Sequence, residues 1–200
     1  MSAADMRPWS LGDFFAWQER QDARYELVGG FPVKMMTGAS NRHDDIVVNI
    51  ITGLGVRLRG KSCRPFTADG AVETFPGQIR RPDAGIDCGK REPDAYVAAK
   101  PTVVFEVLSP STREFDRIQK LEEYRALPGL RHIVIVEPKR LAVLHLSRMA
   151  NDGPWDSEAL GLRSDVIHLA AVDIELPLDE IYAGMVDGGG ENSDLEREKP

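Results

Sequence analysis

Two hundred residues, 42% of them hydrophobic, are enough for one compact domain that buries a core without disulfides or a structural metal. The 25 basic and 32 acidic residues leave a net charge of −7, which excludes a protein that coats nucleic acid through its overall charge but not one with a local basic face. The apolar runs are far too short to cross a bilayer and the start, MSAADMRPWSLGDFF, lacks a charged segment followed by an apolar one, so a cytosolic protein with no membrane association is expected.

Along the chain, Ser10 with Asp13 three residues on is an N-cap with a variant of the capping box, and Leu11, Phe14, Phe15 and Trp17 predict a short helix behind it. RYELVGGFPVKMM reads as a hairpin turning at Gly29-Gly30. Between Ser40 and Arg59 the residues Ile46, Val47, Ile50, Ile51, Leu54 and Leu58 follow helical spacing and predict the first long helix. Strand-like runs follow in SCRPFTADGAVETF, DAGIDCG and TVVFEVLS. STREFDRIQKLEEYRALPG is a helix announced by Ser111 and Glu114 and stopped by Pro128-Gly129. RHIVIVEP and LAVLHLSR are two further strands, WDSEALGL, VIHL and DIEL shorter ones, and LPLDEIYAG a closing helical turn. Residues 1–184 form one domain on this reading, and the Gly-rich charged stretch 185–200 is a disordered tail. Cys63 and Cys88, far apart and without a CxxC or paired histidines, are read as inert thiols rather than a disulfide or a zinc site.

TVVFEVLS places Glu106 inside an apolar run whose two faces both look buried. A lone carboxylate there costs several kcal/mol unless it is paired, protonated or bound to a cation. Upstream, RRPDAGIDCG puts Asp83 directly after Pro82 at the start of a strand. A strand, a connection and a return strand fit between Asp83 and Glu106, so the two carboxylates can meet, and paired carboxylates with oxygen donors suit Mg²⁺ or Mn²⁺. Lys120 is four residues after Asp116 on the next helix. That spacing makes a surface ion pair, or else Lys120 points at the metal cluster.

RYELVGG, the RRPD of 80 to 83, VFEVLSPSTREFD, Lys120, Tyr124 and LPLDEIY together resemble the PD-(D/E)xK nuclease superfamily, and within it the bacterial Uma family of restriction-endonuclease-like proteins. The resemblance implies an α/β (α+β) fold with a restriction-endonuclease-like core, a central mixed β-sheet flanked by helices. It matches Asp83 to the PD aspartate and Glu106 to the second acid, with the Val107 carbonyl as a third metal donor. Leu108 occupies the position of the usual lysine, so Lys120 is read as a migrated catalytic lysine. Glu26 matches an early glutamate that serves as an additional ligand or water-orienting group. His43, at a position where the family often has histidine, is a capping residue or a substrate contact, and Arg81 is a second possible contact. The implied activity is Mg²⁺- or Mn²⁺-dependent cleavage of DNA by a homodimer.

The basic clusters RLRGK at 57 to 61 with Arg64, Arg80-Arg81 and Lys90-Arg91 are either solvated faces or phosphate contacts. His132, His145 and His168 are read as structural. Two readings compete with the enzyme: a nuclease fold whose site no longer turns over and serves as a binding or accessory module, and a structural protein in which Glu106 pairs with a basic side chain.

Overall fold

The computed structural model describes residues 7–35, 40–109 and 114–185, the side chains of 114–116 excepted. The expected Ser111–Glu114 capping box, the Asp116 side chain and the tail after Met185 lie outside the described residues. Ser10 caps helix α1 (Leu11–Gln18), its Oγ accepting from the Asp13 N–H at 3.1 Å and donating to the Asp13 carboxylate at 2.6 Å. Phe14 and Phe15 of this helix pack on Leu27, Ala71 and Ile79. Strands β1 (Tyr25–Val28) and β2 (Phe31–Lys34) form the expected hairpin. Gly29 and Gly30 turn it at φ 60° and 81°, left-handed values that a two-residue turn of this type requires and that side chains with a Cβ resist. Helix α2 (Asn41–Arg57) starts at Ser40, whose Oγ accepts from the His43 N–H at 3.3 Å, and it buries Ile46, Ile50 and Leu54.

Then come β3 (Arg64–Thr67), β4 (Val72–Phe75), β5 (Gln78–Arg80), β6 (Ala84–Asp87), β7 (Pro101–Val107), α3 (Glu114–Ala126), β8 (His132–Glu137), β9 (Ala142–Ser147), β10 (Asp156–Leu160), β11 (Val166–Leu169), β12 (Ile174–Pro177) and α4 (Leu178–Ile181). The central sheet has the order β10-β9-β8-β7-β6-β3. Within it β7 and β8 run parallel, as the α3 crossover between them requires, and the other neighbours are antiparallel. One face buries Ile86, Val103, Phe105 and Val134 against α2, β12 and α4, while the other buries Val104, Ile133 and Leu146 against Tyr124 of α3. The fold is thus the expected α+β arrangement of a mixed sheet between helices. A second sheet, β2-β1-β5-β4, carries α1 on its apolar side. Its strand β5 is only three residues long, too short to show a period in the sequence.

Two contacts set α3 over the central sheet. The Phe66 ring lies so close over Gly85 of β6 that a Cβ there would come within 2.3 Å of it, which lets the ring fill the α3 side of the core. At the other end, the buried Arg148 guanidinium donates to the carbonyls of Leu127 at 2.5 Å and Leu130 at 2.7 Å, tying the turn that follows α3 to the end of β9. His132 and His145 are buried with ring nitrogens 3.0 Å apart, and the Ala171 N–H donates to His132 Nε2, so His132 carries its proton on Nδ1 and donates to His145. Burial pushes His132 down to about 3, in keeping with a structural role. Among the described residues no helix is long and apolar enough to cross a membrane.

The cysteines correct the sequence reading. Arg64 pairs with Asp87 across β3 and β6, which places the flanking Cys63 and Cys88 opposite each other, and a disulfide joins them with Cα atoms 4.1 Å apart. Sequence spacing hid this because the pairing is made by the antiparallel register and not by the local chain. A loop of this length constrains the unfolded chain by on the order of 3 kcal/mol. Replacing both cysteines by serine should lower the urea midpoint to the value that wild type shows in reductant. A midpoint in wild type that reductant leaves unmoved would show that the bridge does not stabilise the fold.

Candidate active site at the end of the central sheet

Ala84 pairs with Phe105, so one step further along the register sets Asp83, in the bend before β6, across from Glu106 near the end of β7. Pro82 ends the ladder at this point because it has no N–H to donate. The Asp83 carboxylate takes over the ladder's role, accepting from the Val107 N–H at 2.8 Å. On the α2 side, His43 Nε2 stands 3.5 Å from Asp83 Oδ2. The hydrogen bond to Asp83 raises the His43 pKa against the opposing effect of burial, with help from the Asp83 charge and a bond to the Val107 backbone.

Glu106 turns to the other helix. Its Oε1 accepts the Tyr124 hydroxyl at 2.8 Å, and it is part-buried between β7 and α3. Burial pushes its pKa up to about 7. The Lys120 charge opposes the rise, the Asp83 charge adds to it and the Tyr124 bond opposes it. Asp83 and Glu106 thus bond to opposite flanking helices, yet lie close enough for each to sense the other's charge. Tyr124, buried beside Glu106 and Glu26, is held well above the usual phenol range, so it stays a hydrogen-bond donor.

Lys120 joins this group from α3, its Nζ 3.1 Å from Glu26 Oε1. Glu26 is buried on β1 and also accepts from Arg80 Nη1 at 2.9 Å and from the Arg81 N–H at 3.1 Å. Its carboxylate therefore spends its acceptors on cations and a backbone amide. Arg80 in turn donates to Glu123 of α3 at 2.6 and 2.8 Å. Burial opposes the charges of both partners, but their mutual bonds prevail, raising Arg80 and lowering Glu123. Glu106, Lys120, Tyr124, Leu121, Ile135 and the exposed Arg117 line a pocket of about 30 Å³, which exceeds the room that one water needs.

Asp83, Glu106, Val107, Lys120, Glu26 and His43 therefore come together at one end of the sheet. Arg81 does not join them as a contact surface: its side chain is buried and bonds the Tyr25 carbonyl at 3.1 Å and the Asp69 carbonyl at 2.5 Å, a structural clamp. The RLRGK cluster is also misplaced for this site. At about 1.5 Å per residue, Arg57 is roughly 20 Å along α2 from His43. It pairs with Glu180 at 2.6 Å, and Lys61 donates to the Asp173 carbonyl at 2.9 Å. Sequence reasoning missed Arg80, which reads as surface charge beside Arg81. It also gave no role to Glu123 and Tyr124, although both stand three and four residues after Lys120 and so share its side of the helix.

Among the described residues no group of three or more His, Cys, Asp or Glu side chains is arranged to hold a metal ion. Two carboxylates and a carbonyl are nonetheless the kind of donor set that Mg²⁺ accepts, since that ion keeps most of its waters and binds through one or two carboxylates.

The family model for Uma2, described as "Putative restriction endonuclease", matches residues 11–179. An uncharacterized protein of Synechocystis sp. is 28% identical over 178 residues, covering 86% of this chain and 90% of its own length. A stretch of 113 residues is 32% identical to cytoplasmic dynein 2 heavy chain 1 of Rattus norvegicus but spans 2% of that protein, so it carries no argument. Among solved structures, a "putative nuclease belonging to DUF820" from Anabaena variabilis superposes with a TM-score of 0.67 at 14% identity, over 88% of this chain and 98% of that one. That likeness shows the fold.

Glu106 ties stability to pH. Its folded pKa lies above its unfolded value of 4.5, so its contribution is fully present below about 4.5 and is lost as pH rises through about 7. Glu106→Gln removes the ionisation. In metal-free buffer the variant should match wild type at pH 4.5 and exceed it by roughly 1 to 3 kcal/mol at pH 8 in urea melts. A variant less stable than wild type at pH 8 would identify Glu106 as one half of a stabilising ion pair.

Proposed function

The chain belongs to the Uma2 family, and we propose that it is a nuclease that hydrolyses DNA phosphodiester bonds with a bound Mg²⁺ or Mn²⁺. One observation supports this reading: Asp83 lies across from Glu106 at the end of the sheet, and Glu106 lines a pocket with room for water beside Lys120. Asp83, Glu106 and the Val107 carbonyl would hold the ion. When bound, it would supply a water acidified for attack and charge neutralisation on the phosphate. Lys120 orients the attacking water and faces the charge that builds on the phosphate oxygens. Glu26 acts through Lys120, because its oxygens are bonded to Arg80, the Arg81 N–H and Lys120. The Val107 N–H keeps the Asp83 carboxylate turned toward β7, and His43 meets it from the α2 side. Arg117, exposed at the pocket rim, is placed to meet a backbone phosphate.

A homodimer would present two such sites, one for each strand of a duplex. We place the protein in the cytosol beside its DNA substrate, where reducing conditions would act on the Cys63–Cys88 bridge.

A second reading is favoured by the bonds that the carboxylates already make. Tyr124 and Lys120 compensate Glu106, and the Val107 N–H and His43 compensate Asp83, so the site can stand without a metal as a binding or accessory module. Cleavage of supercoiled plasmid separates the two. On the nuclease reading, Mg²⁺ or Mn²⁺ supports cleavage, EDTA abolishes it, and Asp83→Asn, Glu106→Gln and Lys120→Met each lower kcat by about 10²- to 10³-fold. Wild type that binds DNA equally with and without metal, and cuts neither single-stranded, duplex nor supercoiled DNA, would establish the binding module instead.

A further inference from the structure

Arg80 is 1% exposed, and its guanidinium is shared between two carboxylates from different layers. Nη1 donates to Glu26 Oε2 at 2.9 Å, while Nε and Nη2 reach the two oxygens of Glu123 at 2.8 and 2.6 Å. The Thr74 hydroxyl donates to Glu123 Oε2 at 3.0 Å and holds it from β4. The other oxygen of Glu26, Oε1, faces Lys120 Nζ at 3.1 Å. The pairs run Glu123, Arg80, Glu26, Lys120, and they close into a ring because Glu123 and Lys120 stand three residues apart on α3.

We propose that Arg80, gripped by Glu123, is a positioning residue for Lys120: it pins the Glu26 carboxylate so that Oε1 is turned toward the ammonium beside Glu106. This rests on the reading of Lys120 as the group that orients the attacking water, and extends it to residues that touch neither water nor phosphate. A lysine ammonium is a point charge on a flexible stem and has no preferred direction of its own. A carboxylate held at one oxygen by a planar guanidinium does have one. Arg80 and Lys120 also balance Glu26 and Glu123 charge for charge, so loss of one member leaves the others in a buried group with net charge. Because β1 and β5 supply two members and α3 the other two, the ring couples the approach of α3 to the small sheet and aims Lys120 in the same contact.

The test uses the full chain and three variants. Glu123→Gln keeps the shape and one acceptor for Arg80, Arg80→Lys keeps the charge but loses the fork, and Arg148→Lys loosens α3 at its far end, outside the ring. Two quantities are measured: the ¹⁵N-detected ammonium signal of lysine, assigned to Lys120 by its absence in Lys120→Arg, and kcat and KM for plasmid cleavage. In wild type the ion pair with Glu26 should slow exchange of the ammonium protons enough for the signal to be seen. Glu123→Gln and Arg80→Lys should lose it, with kcat down about tenfold or more and KM within about twofold, the pattern of an interaction made in the transition state. Arg148→Lys, with a comparable fall in urea midpoint, should keep both the signal and kcat.

A folded Glu123→Gln that retains the Lys120 signal and wild-type kcat would overturn the proposal. So would an Arg148→Lys that loses kcat as fully once corrected for its folded fraction, since the effect would then be one of general loosening. Should Arg80→Lys not fold, Glu123→Gln decides the matter. If wild type cuts no DNA, the nuclease reading fails on its own, and the lysine signal still tells whether Arg80 and Glu123 aim Lys120.

Discussion

Arg80 lies between Glu26 of β1 and Glu123 of α3, buried and bonded to both, and this contact joins the small sheet to the helix that covers the central one. A guanidinium without partners could not be kept in such a place, and neither could the two carboxylates. The three must therefore be assembled together. Glu26 then has an oxygen left for Lys120, and Lys120 comes to lie beside Glu106. The arrangement of the candidate site thus follows from how one cation is desolvated.

The same logic governs the other side of β7. Pro82 has no N–H to give the ladder where β6 begins, and beside it the Val107 N–H takes the Asp83 carboxylate as its acceptor. That bond holds Asp83 at the end of the sheet, where it meets His43 at the start of α2. Glu106 on the neighbouring strand is left between the negative charge of Asp83 and the positive charge of Lys120, and burial decides the balance by favouring its protonated form. Tyr124 supplies Glu106 with a neutral donor. Burial thus leaves a carboxyl at the end of β7 that takes up a proton more readily than an exposed glutamate does.

The apolar frame and the charged groups at the end of β7 contribute to the fold in different ways. The apolar faces of α2, β7 and β8 would fold much the same way around many end-of-strand residues, and the Arg148 clamp and the Cys63–Cys88 bridge serve the frame alone. The acidic and basic residues at the end of β7 add little apolar burial and carry unlike charges at close range. Charges perturbed in this way are the kind that cluster at functional sites.

By itself the sequence located the main elements and the two carboxylates. Hydrophobic spacing located α2, the Ser111, Glu114 and Pro128-Gly129 signals located α3, Gly29-Gly30 located the hairpin, and the placement of Asp83 after Pro82 and of Glu106 within an apolar strand singled out the two carboxylates, because each of these signals is local and is written within a few residues. The tertiary structure alone decided which charges meet. Arg80 and Arg81 are adjacent and alike in sequence, yet one is bonded to two carboxylates at the site and the other to carbonyls of a loop. Arg57 and Lys61 looked available for phosphate and are engaged at the far end of α2. Cys63 and Cys88 looked unrelated and are opposite each other through the register of β3 and β6. The physical reason is common to all of these. A charge or a thiol carries no periodicity, and its partner is fixed by the strand register and helix packing of distant segments, which appear only when the chain has closed on itself.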